Sequence, residues 1–317
     1  MKAKKIAFFG TPLLARACLI KLTESFDVEL VITRPDTAKG RGRKIGISPV
    51  KDYAEAQGIE IYQPDRIGKE LLLLLKKKKI DLNVVVAFGK ILPSNVIDLP
   101  PFGSVNLHAS MLPKYRGPSP IVASILNGDR KTGVTLQKME QRMDRGDIIL
   151  QKGIDIESTD TSHDLLQKII DISPVFLVEG IRGFIEGEFQ LVKQREGDAT
   201  YCSIIKKSDG LIDWHEESEM IINKIRAYNL WPVAYTYLDG KLLKIFQVRF
   251  IDAPDLLSAQ PGKIVKTKAE EGIIVQTGKG FVNILELQME NHKKINSRDF
   301  INGYRNLESK TLEISPH

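Results

Sequence analysis

Two residues of the stretch VNLHAS (105–110), Asn106 and His108, stand two positions apart, and RMDRGD (142–147) supplies the carboxylates Asp144 and Asp147. In an extended chain, alternation puts Asn106 and His108 on one side, opposite Val105 and Leu107. The polar side can then face a cleft while the aliphatic side packs inward. An amide donor beside an imidazole suits a carbonyl whose oxygen gains negative charge in the transition state. Spacing alone leaves His108 open between that role and a hydrogen-bonded structural one. Asp144 or Asp147 can accept a proton or orient His108, or can serve as a turn or cap residue. The segment HASMLPKYRGPSP turns away through Pro113, Gly117, Pro118 and Pro120 and reads as a pocket-lining loop. On it, Lys114 and Arg116 either contact phosphate or keep an exposed turn soluble.

Other chemistries lack a framework. The histidines at 108, 163, 215, 292 and 317 are scattered, Cys18 and Cys202 form no CxxC pair, and HExxH is absent, so no metal is expected. There is no GxSxG or Walker loop, and Gly10 with Thr11 and Pro12 is not a GxGxxG fingerprint. A paired-acid glycosidase fits poorly, since neither aspartate faces a recognisable second carboxylate. Two cysteines make no disulfide framework, which fits a cytoplasmic protein. The apolar run Leu71 to Leu75 meets Lys76 to Lys79, far short of the roughly 18 residues of a spanning helix, so no membrane partner is expected. The start, MKAKKIAFFGTPLLARA, imitates a secretory signal, but Gly10, Pro12 and Arg16 interrupt it.

The elements that must position these residues follow from apolar runs. A length of 317 residues favours two domains. IAFFG, VELVIT (28–33), DLNVVVAF (81–88) and GSVNLHA (103–109) read as strands, with helices near 48–57 and 65–76. Thr11 is expected to cap a first helix with Pro12 in its first turn. A mainly parallel sheet covered by helices, an α/β class, follows. A long helix from Ser162 to about Glu186 closes this first domain, 1–190, and 191–208 reads as a linker. The last domain, 209–317, offers a helix at 217–228 and then alternating runs at AYTYL, LLKIFQVRF, GKIVKT, GIIVQT and FVNILELQME, spaced as in a small barrel. Trp214, Tyr228 and Trp231 are packing anchors or stacking platforms there.

The chain carries 46 Lys plus Arg against 40 Asp plus Glu, a formal charge of +6. Arg34, Lys39, Arg41, Arg43, Lys44 and Lys51 oppose only Asp36, a patch that either meets nucleic-acid phosphates or is a solvated loop.

FFGTP (8–12), VITRPDTAKGRGRK (31–44), VVVAFGKILP (84–93), GSVNLHASMLPKYRGPSPI (103–121), GDRKTGV (128–134) and RMDRGD (142–147) resemble, in order, blocks of the methionyl-tRNA formyltransferases of the folate-dependent formyltransferase family. GLIDW (210–214) and IRAYNLWP (225–232) extend the resemblance to essentially the whole chain. It implies a Rossmann-like formyltransferase domain followed by an OB-like β-barrel. It also implies transfer of a formyl group from 10-formyltetrahydrofolate to the methionine amino group of charged initiator tRNA, with a monomer expected. By the same resemblance the catalytic set is Asn106, His108 and Asp144. Phe88, Gly89, Lys90, Ile91 and Leu92, with Ser110, Met111, Leu112 and Pro113, match the folate pocket. Arg41, Arg43 and Lys44 match the long loop that meets the acceptor end of tRNA, and the LPKYRG loop, whose Lys114 and Arg116 are expected to bind substrate, adjoins the catalytic set. This chain departs from the family with Met111 where leucine is usual, RGPSPIV for RGAAPIQ, and RMDRGD for GLDTGD, which adds Arg142 and Arg145. The competing readings are formylation of a small amine or nucleotide sugar, and a noncatalytic RNA-binding scaffold.

Overall fold

The computed structural model describes residues 4–39, 44–252, 259–268 and 272–316. The chain forms two compact units. One comprises the residues through Pro120, Lys131–Asp155 and Leu166–Ser203; the other comprises Ile121–Arg130, Ile156–Leu165 and the residues from Ile204 onward.

The first unit opens with β1 (Lys5–Gly10), α1 (Leu13–Thr23) and β2 (Asp27–Ile32), followed by a short antiparallel pair, β3 (Thr37–Lys39) and β4 (Lys44–Gly46). Then come α2 (Pro49–Ala56), β5 (Ile61–Tyr62), α3 (Lys69–Lys78), β6 (Leu82–Val86), α4 (Ser94–Ile97) and β7 (Ser104–His108). After α5 (Pro120–Leu126), which past Pro120 belongs to the second unit, the chain adds β8 (Lys131–Lys138) and β9 (Ile148–Asp155) to the first, and α6 (Ser162–Glu186), which belongs to the first unit from Leu166 on, is the long helix expected from the sequence. Seven strands form one sheet in the order β5-β2-β1-β6-β7-β8-β9. Its first five strands run parallel, and β6 is buried along its whole length, as a sheet covered on both faces requires. The two last pairings, β7 with β8 and β8 with β9, are antiparallel. The domain is therefore mixed α/β.

One local expectation changes. Thr11 is not the cap of α1: Pro12, extended at φ −82°, holds that position without a side-chain cap, and the Thr11 hydroxyl instead donates to the Phe88 carbonyl at 3.3 Å. Ser48 does cap α2, accepting from the Lys51 amide at 3.0 Å with Pro49 next in line. Of the basic segment, Arg41 and Arg43 lie outside the described residues, and the Lys44 backbone opens β4 opposite Lys39. The Lys51 ammonium is paired with Asp36, whose second oxygen accepts from Gln63 at 2.9 Å, and these bonds hold the Asp36 carboxyl below its ordinary value.

The second unit carries α7 (Ser218–Ala227) and six strands: β10 (Tyr235–Leu238), β11 (Lys241–Ile251), β12 (Ile264–Lys268), β13 (Gly272–Gln276), β14 (Phe281–Met289) and β15 (Ile295–Asn296); α8 (Ser297–Gly303) follows. The strand order is β10-β11-β14-β13-β12, with β15 on β14. Residues 310–313 reach both edges: Ile264 N donates to Lys310 O and Leu312 N to Gly262 O, while Tyr237 and Glu313 exchange bonds at 3.0 and 2.9 Å. The sheet thus curls around a core that includes Trp214, Ile225, Leu243, Ile245, Val275 and Ile284. Trp214 and Tyr228 are buried anchors, the indole N–H of Trp214 donating to Thr236 at 3.0 Å, whereas Trp231 is 55% exposed. Among the described residues no helix is long and apolar enough to cross a membrane.

Candidate active site

Parallel pairing fixes where chemistry can occur. Gly10 is opposite Val86, and Val86 opposite Leu107, so the turns leaving β1, β6 and β7 issue from one edge of the sheet. This carboxyl edge is where open α/β sheets hold ligands.

Asn106 lies opposite Gln137 in the β7–β8 ladder, which sets their side chains beside each other on one face. Both donate to the same oxygen of Asp144: Gln137 Nε2 to Oδ1 at 3.0 Å, Asn106 Nδ2 to Oδ1 at 3.4 Å. The other oxygen, Oδ2, accepts from the Gly117 amide at 2.9 Å. His108 Nδ1 lies 3.6 Å from Asp144 Oδ1, within ion-pair reach though longer than a hydrogen bond. Its Nε2 is 2.9 Å from the Tyr115 carbonyl. Because a carbonyl only accepts, Nε2 carries a hydrogen, and Nδ1 is the nitrogen turned toward Asp144. Amide, imidazole and carboxylate therefore meet, although Asn106 and Asp144 are 38 positions apart. Asp147 takes no such place; its carbonyl accepts from Lys138 N at 2.9 Å.

Close backbone approaches hold this wall. Asp144 is left-handed at φ 54°, and Tyr115, whose carbonyl binds His108, at φ 59°. Gly117 has φ 126°, and a Cβ there would lie 2.1 Å from the Cys202 carbonyl; a Cβ on Gly146 would lie 1.6 Å from the Lys138 carbonyl. Neither position admits a side chain. Thr135, opposite His108, fastens the SMLP turn: its hydroxyl donates to Ser110 O at 2.7 Å and accepts from Leu112 N at 3.1 Å and Gln151 Nε2 at 2.9 Å. Gln151 also donates to Leu112 O at 2.9 Å, and the Leu112–Pro113 peptide is cis. Met111 fits because residue 133 is glycine, where a Cβ would lie 2.5 Å from the Met111 sulfur.

Arg116 has a place different from the one its sequence position suggests. It is 1% exposed, and its guanidinium pairs with both Glu196 oxygens at 3.0 Å, with Gln194 Oε1 at 3.0 Å and with the Tyr201 hydroxyl at 3.2 Å. Burial opposes its charge, but the bonds to Glu196 and Tyr201 more than offset that and hold its pKa above the ordinary value. These donors are committed internally, so Arg116 braces the loop and is not free for phosphate. Lys114 is exposed, and Arg145, one of the departures from the family pattern, donates to the Tyr201 hydroxyl at 3.0 Å. The stretch read as a linker is engaged here as well: Val192 pairs with Ile148, Thr200 O accepts from Arg116 N, and the Cys202 sulfur accepts from Ser119 N at 3.4 Å. Burial pushes the Cys202 thiol up.

The turn after β6 is built differently. Phe88 and Leu92 are buried, Phe88 edge-on to Phe9 with centroids 5.5 Å apart, while Gly89 is exposed and Ile91 is 76% exposed. Ala87 at φ 46° and Gly89 at φ 77° are left-handed and exposed, and Lys90 is tied back to the carbonyls of Pro64 and Asp65 at 2.6 and 2.7 Å.

Sequence reasoning missed Gln137, Thr135, Gln151, Gln194 and the Tyr115 carbonyl. For the first two a signal existed: in KTGVTLQK, Thr135 and Gln137 alternate with Val134 and Leu136 as strand residues do.

This fold and polar edge are those of a formyl-group transferase. A family model described as formyl transferase matches residues 4–181, and one described as formyl transferase, C-terminal domain, matches 204–305; the chain belongs to this family. It is 39% identical over 303 residues to the methionyl-tRNA formyltransferase of Caldanaerobacter subterraneus, covering 95% of this chain and 97% of that one. With the methionyl-tRNA formyltransferase of Geobacter metallireducens it shares 38% identity, covering 96% and 97%. Among solved structures, the sugar 3N-formyltransferase WlaRD, in the presence of dTDP and 5-N-formyl-THF, superposes with TM-score 0.66 at 22% identity over 92% of this chain and 100% of that one. HypX from Aquifex aeolicus in complex with tetrahydrofolic acid gives 0.62 at 16% identity, over 95% of this chain and 47% of that one.

Proposed function

We propose that this chain transfers the formyl group of 10-formyltetrahydrofolate to the amino group of methionine carried by initiator tRNA, giving N-formylmethionyl-tRNA. The observation that carries this reading is the meeting of Asn106, His108 and Asp144 at the carboxyl edge of the sheet, in a chain whose near full-length relatives are methionyl-tRNA formyltransferases. The donor supplies the formyl carbon. In the transfer, a bond forms from the methionyl nitrogen to that carbon, its bond to N10 breaks, one proton leaves the amine and one reaches N10.

The residues meet those demands in order. Asn106 has two amide hydrogens, of which Asp144 takes one at long range, so the other serves the carbonyl oxygen as it becomes negative. His108, anchored through Nε2, offers a protonated Nδ1 to the same oxygen. Asp144, 3.6 Å from that ring, supports the imidazolium and draws the proton from the attacking amine, directly or through one water. The turn Phe88, Gly89, Lys90, Ile91, Leu92 receives the pterin through its exposed backbone, together with Ser110, Met111, Leu112 and Pro113. The fit is supported by the anchored ends and open middle of that turn. Formylated and reduced folates accompany the structurally similar sugar formyltransferase and HypX, which supports the same assignment.

The parallel run β5-β2-β1-β6-β7 supports a Rossmann-like reading of 1–190 as the catalytic domain. The curl closed by residues 310–313 supports an OB-like reading of 209–317 as the tRNA-binding domain, joined by 191–208. Lys114 and the basic loop that includes Arg41, Arg43 and Lys44 meet the acceptor-end phosphates, and the enzyme works in the cytoplasm as a monomer.

The test supplies purified protein with the formyl donor and either methionine-charged initiator tRNA or free small amines, and follows transfer by mass. Formyl on the tRNA-linked methionine is expected; formyl on free amines alone overturns the reading. Raising salt should weaken tRNA binding steeply, with a slope set by the phosphates neutralised, and a salt-independent affinity removes the basic-loop contact.

A further inference from the structure

Gln194 joins the parts of the catalytic wall that sequence keeps apart. Its Nε2 donates to the Asp144 carbonyl at 2.9 Å and to the Gly146 carbonyl at 2.8 Å, and lies 3.5 Å from Gln137 Oε1. Its Oε1 accepts from Arg116 Nε at 3.0 Å. A primary amide does both because it gives hydrogens at one atom and takes one at another. Each partner bears on the Asp144 carboxylate. Gln137 donates to Oδ1, and Arg116 precedes Gly117, whose amide holds Oδ2. Asp144 itself sits at φ 54°, left-handed backbone that aspartate adopts more readily than most residues but still at a cost its surroundings must offset. Two bonds from one side chain, to the carbonyls on either side of Arg145, do so here.

We propose that Gln194 is a positioning residue for formyl transfer: by clamping the 144–146 turn it presents the Asp144 carboxylate to His108 and Asn106. The proposal rests on the formylation reading above and names a residue that never touches substrate. Gln194 acts through Asp144, so its loss lowers the rate of the chemical step and leaves substrate binding nearly unchanged.

The experiment measures single-turnover formylation of methionyl-tRNA by the full chain. Gln194→Met keeps the reach of the side chain and removes the amide. It is expected to slow the step about tenfold to thirtyfold, with KM for either substrate changed less than about threefold. A double-mutant cycle with Asp144→Asn separates positioning from general loosening: with Asp144 disabled, adding Gln194→Met should change the rate by less than about twofold. A Gln194→Met enzyme at the parent rate, or one whose loss recurs in full in the Asp144→Asn background, overturns the proposal. If melting curves show Gln194→Met unfolded, Gln194→Glu takes its place, since it keeps the acceptor for Arg116 and removes both donors; the same slowing is expected, and parental speed overturns the role. A parent protein that never formylates methionyl-tRNA overturns the formylation reading itself, whereas an active parent with unaffected variants overturns only the part given to Gln194.

Discussion

The two sides of the carboxyl edge are built on opposite plans. The wall carrying Asp144 is cross-linked: the Asp144 carboxylate takes three hydrogen bonds from β7, β8 and the Gly117 turn, and the carbonyls of Asp144 and Gly146 each take one more from Gln194. The turn after β6 is pinned at Phe88 and Leu92 and leaves Gly89 and Ile91 to solvent. The roles proposed above give the difference a physical reason. Groups that stabilise developing charge act well only if they are already oriented and need not reorganise. A turn that reads a ligand through its backbone must instead leave that backbone uncovered. Changes in the wall should therefore be felt in stability and chemical rate together, and changes in the turn mainly in donor binding.

Gly117→Ala is the largest expected break. A methyl group would lie 2.1 Å from the Cys202 carbonyl at a φ of 126°, so the chain segments at 117 and 202 must part, and the hydrogen bond from the Gly117 amide to Asp144 goes with them. We expect a loss of about 3 kcal/mol or more, read as a fall of several degrees or more in melting temperature, together with a collapse in activity. A melting temperature within a degree of the parent would show the wall to be no more rigid than the turn. Asn106→Ala comes next. Removing one aligned oxyanion donor costs about 3 kcal/mol in the transition state, a hundredfold in single-turnover rate, with little change in folding. An unchanged chemical rate removes Asn106 from the mechanism.

On the other side, Gly89→Ala should be mild. Its φ of 77° penalises a side chain by about 1 kcal/mol, but the nearest atoms to a new Cβ belong to the Arg34 side chain, at 3.7 and 3.8 Å, and can move. A raised KM for the folate donor with kcat nearly unchanged is expected. A larger fall in kcat than in donor affinity would mean that the turn belongs to the chemistry after all.

The same contrast decides what could be read from residue order. β6 and β7 fall within a residue or two of their expected bounds, β6 because a fully buried strand is a near-continuous apolar run and β7 because its apolar residues alternate with polar ones. The antiparallel strands β8 and β9 escaped, since polar residues that face the site, such as Thr135 and Gln137, interrupt the apolar signal although both are buried. Asn106, His108 and Asp144, which the fold brings together, were named from their motifs. Their supports were not: Gln194 is 50 positions from Asp144, and the Tyr115 carbonyl has no side-chain signature at all. Arg116 looked like a surface cation because its partner Glu196 lies 80 positions away. Contacts that long leave no spacing pattern, and only the fold makes them neighbours.

That ion pair supplies the smallest prediction. Hydrogen bonding to Arg116 holds the Glu196 carboxyl below its ordinary value, against the opposing effect of burial. The unfolded chain therefore takes up this proton first as pH falls. Between the folded and unfolded values the unfolded state binds more protons, so stability rises with pH there. The contribution is present above the ordinary glutamate value and is lost as pH falls through the depressed one. With the Glu196 side chain 60% exposed, solvent screens the pair and the effect is small. Melting curves of the parent and of Glu196→Gln isolate it, because every other carboxylate cancels in the difference. The parent should melt slightly higher at neutral pH, and the gap should close in acid. A gap that stays constant through acid would mean that the carboxylate charge contributes nothing and that Gln194 and Tyr201 alone hold Arg116 behind the wall.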